Sequence, residues 1–222
     1  MELWVCHLGR VEYSEAAALQ ERLRERVRTG ELPETMLLLE HPPVYTVGRR
    51  TTDADLPLPG GGIDVVTTPR GGQLTYHGPG QLVGYPIMHV ASVPEFVLTM
   101  ERSLVTALGD AGIEAGTKLG HKHVGVWVGE RKIASVGVHI SHGVSAHGFA
   151  VNVNNDLDPF SWVVACGLPE VTMTSMAAEG IAEGLPCFRK RAAWRFCEAF
   201  GRRQRLVSPA RLGIEERVWT SV

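Results

Sequence analysis

Five of the twelve residues from Arg70 to Gln81 are glycine or proline, a density that rules out a helix or an ordinary central strand there. The same stretch carries Arg70, Gln73, Thr75, Tyr76, His77 and Gln81, all able to hydrogen-bond. Glycine lets a backbone approach a ligand closely or adopt positive φ. A simple turn needs only about two to five residues. A dozen, with polar side chains on a Gly-shaped frame, read as the wall of a pocket.

The flanking sequence supplies a scaffold for such a wall. Ser14–Thr29 reads as a helix, with Ser14 as N-cap, Leu19, Leu23 and Val27 recurring every four residues, and Gly30 as the stop. Met36–Leu39 is a short buried strand, the prolines at 42 and 43 force extended geometry, and residues 51–62 form a loop. Val83–Met88 reads as a strand leaving the Gly-rich segment. Pro94–Ala111 reads as a second helix with Val97, Met100, Leu104 and Leu108 on its buried stripe and Gly112 after its end. Val124–Val128 and Lys132–Ile140 form a hairpin, and Gly148–Val153 continues the meander. Phe188–Phe200 is a third helix. The expected fold class is α+β, a central mixed β-sheet flanked by helices with a possible small second sheet, in a single domain over residues 1–222.

Charge and composition exclude several functions. The net charge of −2 argues against nucleic acid as a partner. No apolar run reaches the roughly 18 residues of a membrane span, so no membrane partner is expected. The N-terminus lacks a basic segment followed by an apolar one, which points to the cytoplasm. There Cys6, Cys166, Cys187 and Cys197 should be free thiols. Cys6, Cys187 and Cys197 read as small buried hydrophobes.

Two residues invite a chemical reading. Cys166 ends the apolar run Val163–Val164–Ala165 and is followed by Gly167 and Pro169. A thiol so placed suits a nucleophile if a nearby cation lowers its pKa, and equally suits a buried end-of-strand residue. By strand alternation Lys132 shares a face with Ala134, Val136, Val138 and Ile140, where it either snorkels to water or is held inward. On the opposite face Gly137 leaves room for something to lie against the backbone. His121, His123, His139, His142 and His147 match no zinc motif, and neither a Walker loop nor a G-x-S-x-G elbow is present. No metal or other cofactor is expected.

These segments resemble the lipoyl(octanoyl) transferases. Leu38–Gly48 is similar to the family's first block, and Arg70–Gln81 to its hallmark RGGQxTYHGPGQ. Gly125–Val128, Lys132–Gly137 and His147–Asn152 follow in the family's order, although Ala165 stands where the family often has proline. The resemblance implies a fold like that of the biotin and lipoate protein ligase catalytic domain. It implies Cys166 as the acyl-carrying nucleophile and Lys132 as the residue that lowers its pKa. Arg70, Gly71, Gly72, Gln73, Leu74, Thr75, Tyr76 and His77 would line the acyl pocket, with Ser135, Val136, Gly137, Gly148, Phe149 and Ala150. It further implies octanoyl-acyl carrier protein as donor. The acceptors would be the lipoyl domains of 2-oxoacid dehydrogenase complexes and the glycine cleavage H protein. Such partners are expected to be acidic. Two basic clusters could meet them: Arg49 and Arg50, or the C-terminal run of Arg189, Lys190, Arg191, Arg195, Arg202, Arg203 and Arg205.

Overall fold

A computed structural model describes residues 1–52, 56, 62–120, 123–163 and 171–215. The expected loop over 51–62 lies largely outside these residues, and Cys166 and His121 lie wholly outside them.

The chain opens with strand β1 (Glu2–Arg10) and helix α1 (Tyr13–Arg28), then β2 (Thr35–Glu40), β3 (Val44–Val47), β4 (Asp64–Thr67), β5 (Thr75–His77) and β6 (Gln81–Ile87). Helix α2 (Val93–Gly109) precedes the meander β7 (Gly125–Val128), β8 (Arg131–Ser141) and β9 (Val144–Asn152). A short helix α3 (Asp158–Ser161), helix α4 (Leu185–Ala199) and β10 (Arg203–Val207) complete it. The described strands form a seven-stranded sheet ordered β10-β1-β2-β6-β9-β8-β7 and a three-stranded sheet ordered β4-β3-β5. The large sheet is mixed: β1 runs parallel to β10 and β2, and its other pairs are antiparallel.

Alternation along β2 shows how the layers form. Met36 and Leu38 point into a core shared with α2 and α4, while Leu37 and Leu39 point into one shared with α1. A strand covered on both faces reads as an unbroken apolar run, as Met36–Leu39 does. On α2 the buried stripe includes Phe96, Met100, Leu104 and Leu108. Val97 is only half-buried, so Phe96 takes its expected place. Helix α1 begins one residue before Ser14: Glu12 is its N-cap residue, without a side-chain hydrogen bond, and Tyr13 is buried. Cys6 and Cys197 are buried as expected, and burial pushes their thiols up to about 12 and about 11. Cys187 is exposed, a departure from the sequence reading.

A β-bulge changes the face of Lys132. Lys132 pairs with Trp127, yet Ala134 pairs with Val126, so β8 carries one extra residue. Val126 and Ala134 sit in the helix-side core. Lys132 therefore faces the other way, with Ser135 and Gly137, rather than sharing a face with Ala134, Val136 and Val138.

Candidate active site

A cleft opens on the α1 side of the large sheet, between β8 and β9 and the Gly-rich segment. It is lined by Arg70, Gly72, Gln73, Thr75, His77, Lys132, Ser135, Val136, Gly137, Gly148, Phe149 and Ala150 from the expected set. Tyr13, Arg50, Tyr85, Val124 and His147 join them and were not anticipated. Leu74 and Tyr76 are instead fully turned into a small apolar cluster with Tyr45, Phe160 and Met173. Alternation on β5 explains this correction: Thr75 and His77 face the cleft, so their neighbours cannot. Gly71 does not line the cleft either. Its N–H donates to the Val138 carbonyl at 2.9 Å and seats the loop on β8. Gly137 makes that seat possible, since a Cβ there would stand 2.9 Å from the Gly71 carbonyl oxygen.

Arg70 is the brace of this wall rather than a free cation. Its guanidinium donates to the carbonyls of Gly71, Gln73 and Thr46 at 3.1, 2.8 and 2.7 Å, and to Thr46 Oγ1 at 2.7 Å. A planar fork suits such convergent acceptors. It ties the loop to β3 across the small sheet.

The inner end of the cleft is a cluster of aromatic polar side chains. His41 Nδ1 donates to the Val11 carbonyl at 2.6 Å, so its Nε2 accepts from Tyr85 Oη at 2.7 Å. His77 Nδ1 donates to Gln81 Oε1 at 2.7 Å. Gln81 in turn donates to Asn152 Oδ1 at 2.9 Å and to the Tyr76 carbonyl at 3.2 Å. Tyr13 stacks on His77 at 6.1 Å between centroids and lies 3.4 Å from His147 Nδ1. Burial lowers His41 to about 4 and His147 to about 3, and holds His77 well below its ordinary value. At neutral pH these rings are uncharged. Several of their polar atoms are bonded to one another or to neighbouring groups, which blunts the polarity of this part of the wall. A wall of polar residue types can thus receive an apolar chain. His147 also holds φ at +57°, a left-handed conformation uncommon outside glycine and frequent at functional sites. The free volume open to a water-sized sphere is about 60 Å³.

Lys132 also lines the cleft and is only 2% exposed. Its side chain runs over Gly125, where a Cβ would approach Lys132 Cε to 2.5 Å. Its Nζ lies 5.4 Å from the Trp127 ring centroid. Behind it Glu101 of α2 is buried and accepts the Gly125 N–H at 2.5 Å. Burial raises this carboxyl above its ordinary range, while the Gly125 N–H and the charge of Lys132 pull it back. The Lys132 backbone is fixed as well: its N–H donates to the Thr172 carbonyl and its carbonyl accepts from Thr174, both at 2.9 Å. Cys166 precedes Thr172 by six positions in sequence and lies outside the described residues.

Among the described residues no group of three or more His, Cys, Asp or Glu is arranged to hold a metal. No helix among them is long and apolar enough to cross a membrane.

Residues 12–184 match the lipoyl protein ligase A/B catalytic domain. The chain is 45% identical to an octanoyltransferase of Solibacter usitatus over 202 residues, 87% of this chain and 90% of that one. It is 39% identical to an octanoyltransferase of Acidobacterium capsulatum over 226 residues, 90% and 91% of the two chains. In three dimensions it is similar to a bi-partite lipoate protein ligase from Thermoplasma acidophilum, with a TM-score of 0.72, 17% identity and 94% and 87% coverage. It is also similar to the biotin protein ligase of Aquifex aeolicus, with a TM-score of 0.54, 15% identity and 90% and 69% coverage. The ligase likenesses describe the fold alone.

Proposed function

The chain belongs to the lipoyl protein ligase A/B catalytic domain family, and from that premise we propose that it is an acyltransferase that moves an octanoyl group onto a lysine amine of lipoyl domains. The donor in this reading is octanoyl-acyl carrier protein. The acceptors are lipoyl domains of 2-oxoacid dehydrogenase complexes and the glycine cleavage H protein. Residues 1–222 act as a single catalytic domain in the cytoplasm, with no cofactor. The octanoyltransferases at 45% and 39% identity support acyl transfer over ATP-dependent ligation.

The observation that carries the mechanism is the buried Lys132, whose backbone is hydrogen-bonded to the chain a few residues after Cys166. In this reading Lys132 supplies the cation that stabilises the Cys166 thiolate. The Cys166 thiolate attacks the donor's thioester carbonyl, and the carbon–sulfur bond to the carrier breaks. The carrier sulfur leaves as a thiol with the proton of the Lys132 ammonium, which becomes a neutral amine able to accept a proton in the next step. One thioester replaces another, so the step is close to neutral in energy and needs no ATP. The acceptor amine then attacks the acyl-enzyme. Its proton passes to Lys132, the bond to Cys166 breaks, and an amide forms. Covalent catalysis divides one acyl transfer into these two steps. The neutral inner wall suits an uncharged octanoyl tail.

Intact-mass spectrometry after mixing the protein with octanoyl-acyl carrier protein, without ATP, tests the reading. An octanoyl adduct should form, persist in Cys187→Ser and vanish in Cys166→Ser. Absence of an adduct, together with acylation of the acceptor only when ATP and free octanoate are supplied, would establish a ligase instead.

A further inference from the structure

Two adjacent arginines, Arg49 and Arg50, follow β3 and are exposed, and the second lines the cleft. Their positions are fixed through the backbone: the Arg49 N–H donates to the Arg70 carbonyl at 3.1 Å and the Arg50 N–H to the Gly72 carbonyl at 3.0 Å. Arg50 lines the cleft together with Val124 and Lys132. Neither arginine has a carboxylate partner among the described residues.

The C-terminal arginines differ on this point. Arg191 pairs with Glu183, Arg195 with Asp110 and Glu198, Arg202 with Glu34, and Arg203 and Arg205 with Glu2. These five charges are paired within the molecule, holding α4 and β10 against neighbouring elements. Of the rest of that run, Arg189 is half-buried and Lys190 is a single exposed cation without a carboxylate partner among the described residues. With a net charge of −2, the chain has no overall attraction for an acidic partner. A local unpaired cluster must supply it.

Reach decides which partner meets this pair. The acceptor's attacking amine sits only about 6 Å from its own Cα. To bring that amine to an acyl group beside Lys132, the acceptor's backbone must descend onto the rim of the cleft. The donor delivers its acyl group on a long flexible arm, so the carrier's folded surface can remain away from the rim.

We infer that Arg49 and Arg50 form the docking site for the acceptor and take the carboxylates of an acidic turn flanking its lysine. The inference rests on the acyl-transfer reading above. Its test is binding, which does not depend on turnover. The double variant Arg49→Glu/Arg50→Glu, and Arg49→Gln/Arg50→Gln beside it, would be titrated with an unmodified lipoyl domain and separately with acyl carrier protein. Because the anchoring bonds are from backbone N–H groups, the melting temperature should stay near that of the wild type, and the milder variant carries the test if the charge reversal unfolds. Two exposed charge pairs reversed should raise the Kd for the lipoyl domain about tenfold at low salt. The effect should shrink as ionic strength approaches about 0.15 M. Carrier affinity should change by less than about twofold. An unchanged lipoyl-domain Kd, or an equal loss of carrier affinity, would overturn the inference. A wild type that docks the acceptor yet never forms the octanoyl adduct would overturn the transfer mechanism alone.

Discussion

Lys132 and Cys166 should behave as a unit if the lysine sets the state of the thiol. Removing the ammonium in Lys132→Ala should move the alkylation pKa of Cys166 upward, towards the free-thiol value of about 8.5. Cys187 is exposed and would react as well, so iodoacetamide labelling across pH belongs in a Cys187→Ser background. Cys6 and Cys197, buried and with their thiols pushed up, should stay silent. Acylation and transfer should both slow in Lys132→Ala. The double variant with Cys166→Ser should be scarcely worse than the worse single one, because both groups serve one step. An unchanged labelling pKa would separate Lys132 from the thiol. The sequence exposed Lys132 as an oddity among apolar neighbours, but alternation assigned it to the wrong face. The bulge opposite Trp127 is a one-residue insertion in pairing, and nothing local in Arg131–Ile133 announces it. Glu101 was equally hidden, since its role depends on α2 lying over Gly125.

At the scale of elements, the Gly-rich segment reads as a wall from its composition, and Arg70, Gly72, Gln73, Thr75 and His77 of it line the cleft. What composition could not give was which residues face inward. Leu74 and Tyr76 belong to the back of β5, and Arg70 spends its donors on carbonyls. Arg70→Lys keeps the charge but loses the fork. Two or more buried carbonyls lose their donor, at about 1–3 kcal/mol in total, and urea unfolding should show it together with a raised KM for the donor. The inner histidines give a second expectation. His41 and His147 are lowered to about 4 and about 3, so the folded state disfavours their protonation. For a depressed histidine the stability is fully present above the unfolded value near 6.5 and is lost as pH falls towards the folded value. Acidification from about pH 6.5 to 4 should therefore remove roughly 3 kcal/mol through His41 alone. His41→Gln should be less stable at neutral pH but show a shallower acid limb. Equal acid limbs would mean that His41 is already charged in the fold. Strands β1 and β10 escaped the sequence reading for a related reason: β10 is strand-like only as the parallel partner of the N-terminal strand some two hundred positions away.

For the molecule as a whole, counting charges located the C-terminal arginines but could not pair them. Glu183 and Glu198 are near in sequence, but the arginines' other partners, Asp110, Glu34 and Glu2, are distant. The layered α+β plan was more legible, because helix periodicity and buried strands are local patterns whereas cleft depth is not. Depth matters for selectivity. The cleft runs between a neutral aromatic cluster and Lys132, so each methylene of an acyl chain seated there leaves water. At about 0.8 kcal/mol per buried methylene, hexanoyl should lose about 1.6 kcal/mol against octanoyl, a roughly fifteen-fold drop in kcat/KM. Dodecanoyl should also react poorly, because its last carbons meet Tyr13, Tyr85 and His147, whose hydrogen-bonded edges resist displacement. Tyr13→Ala opens that end and should recover part of the dodecanoyl rate while leaving the hexanoyl-to-octanoyl ratio near the wild-type value. Single-turnover acylation with carriers bearing six-, eight- and twelve-carbon chains measures all three ratios. Equal rates across the series would show that the chain does not lie in this cleft.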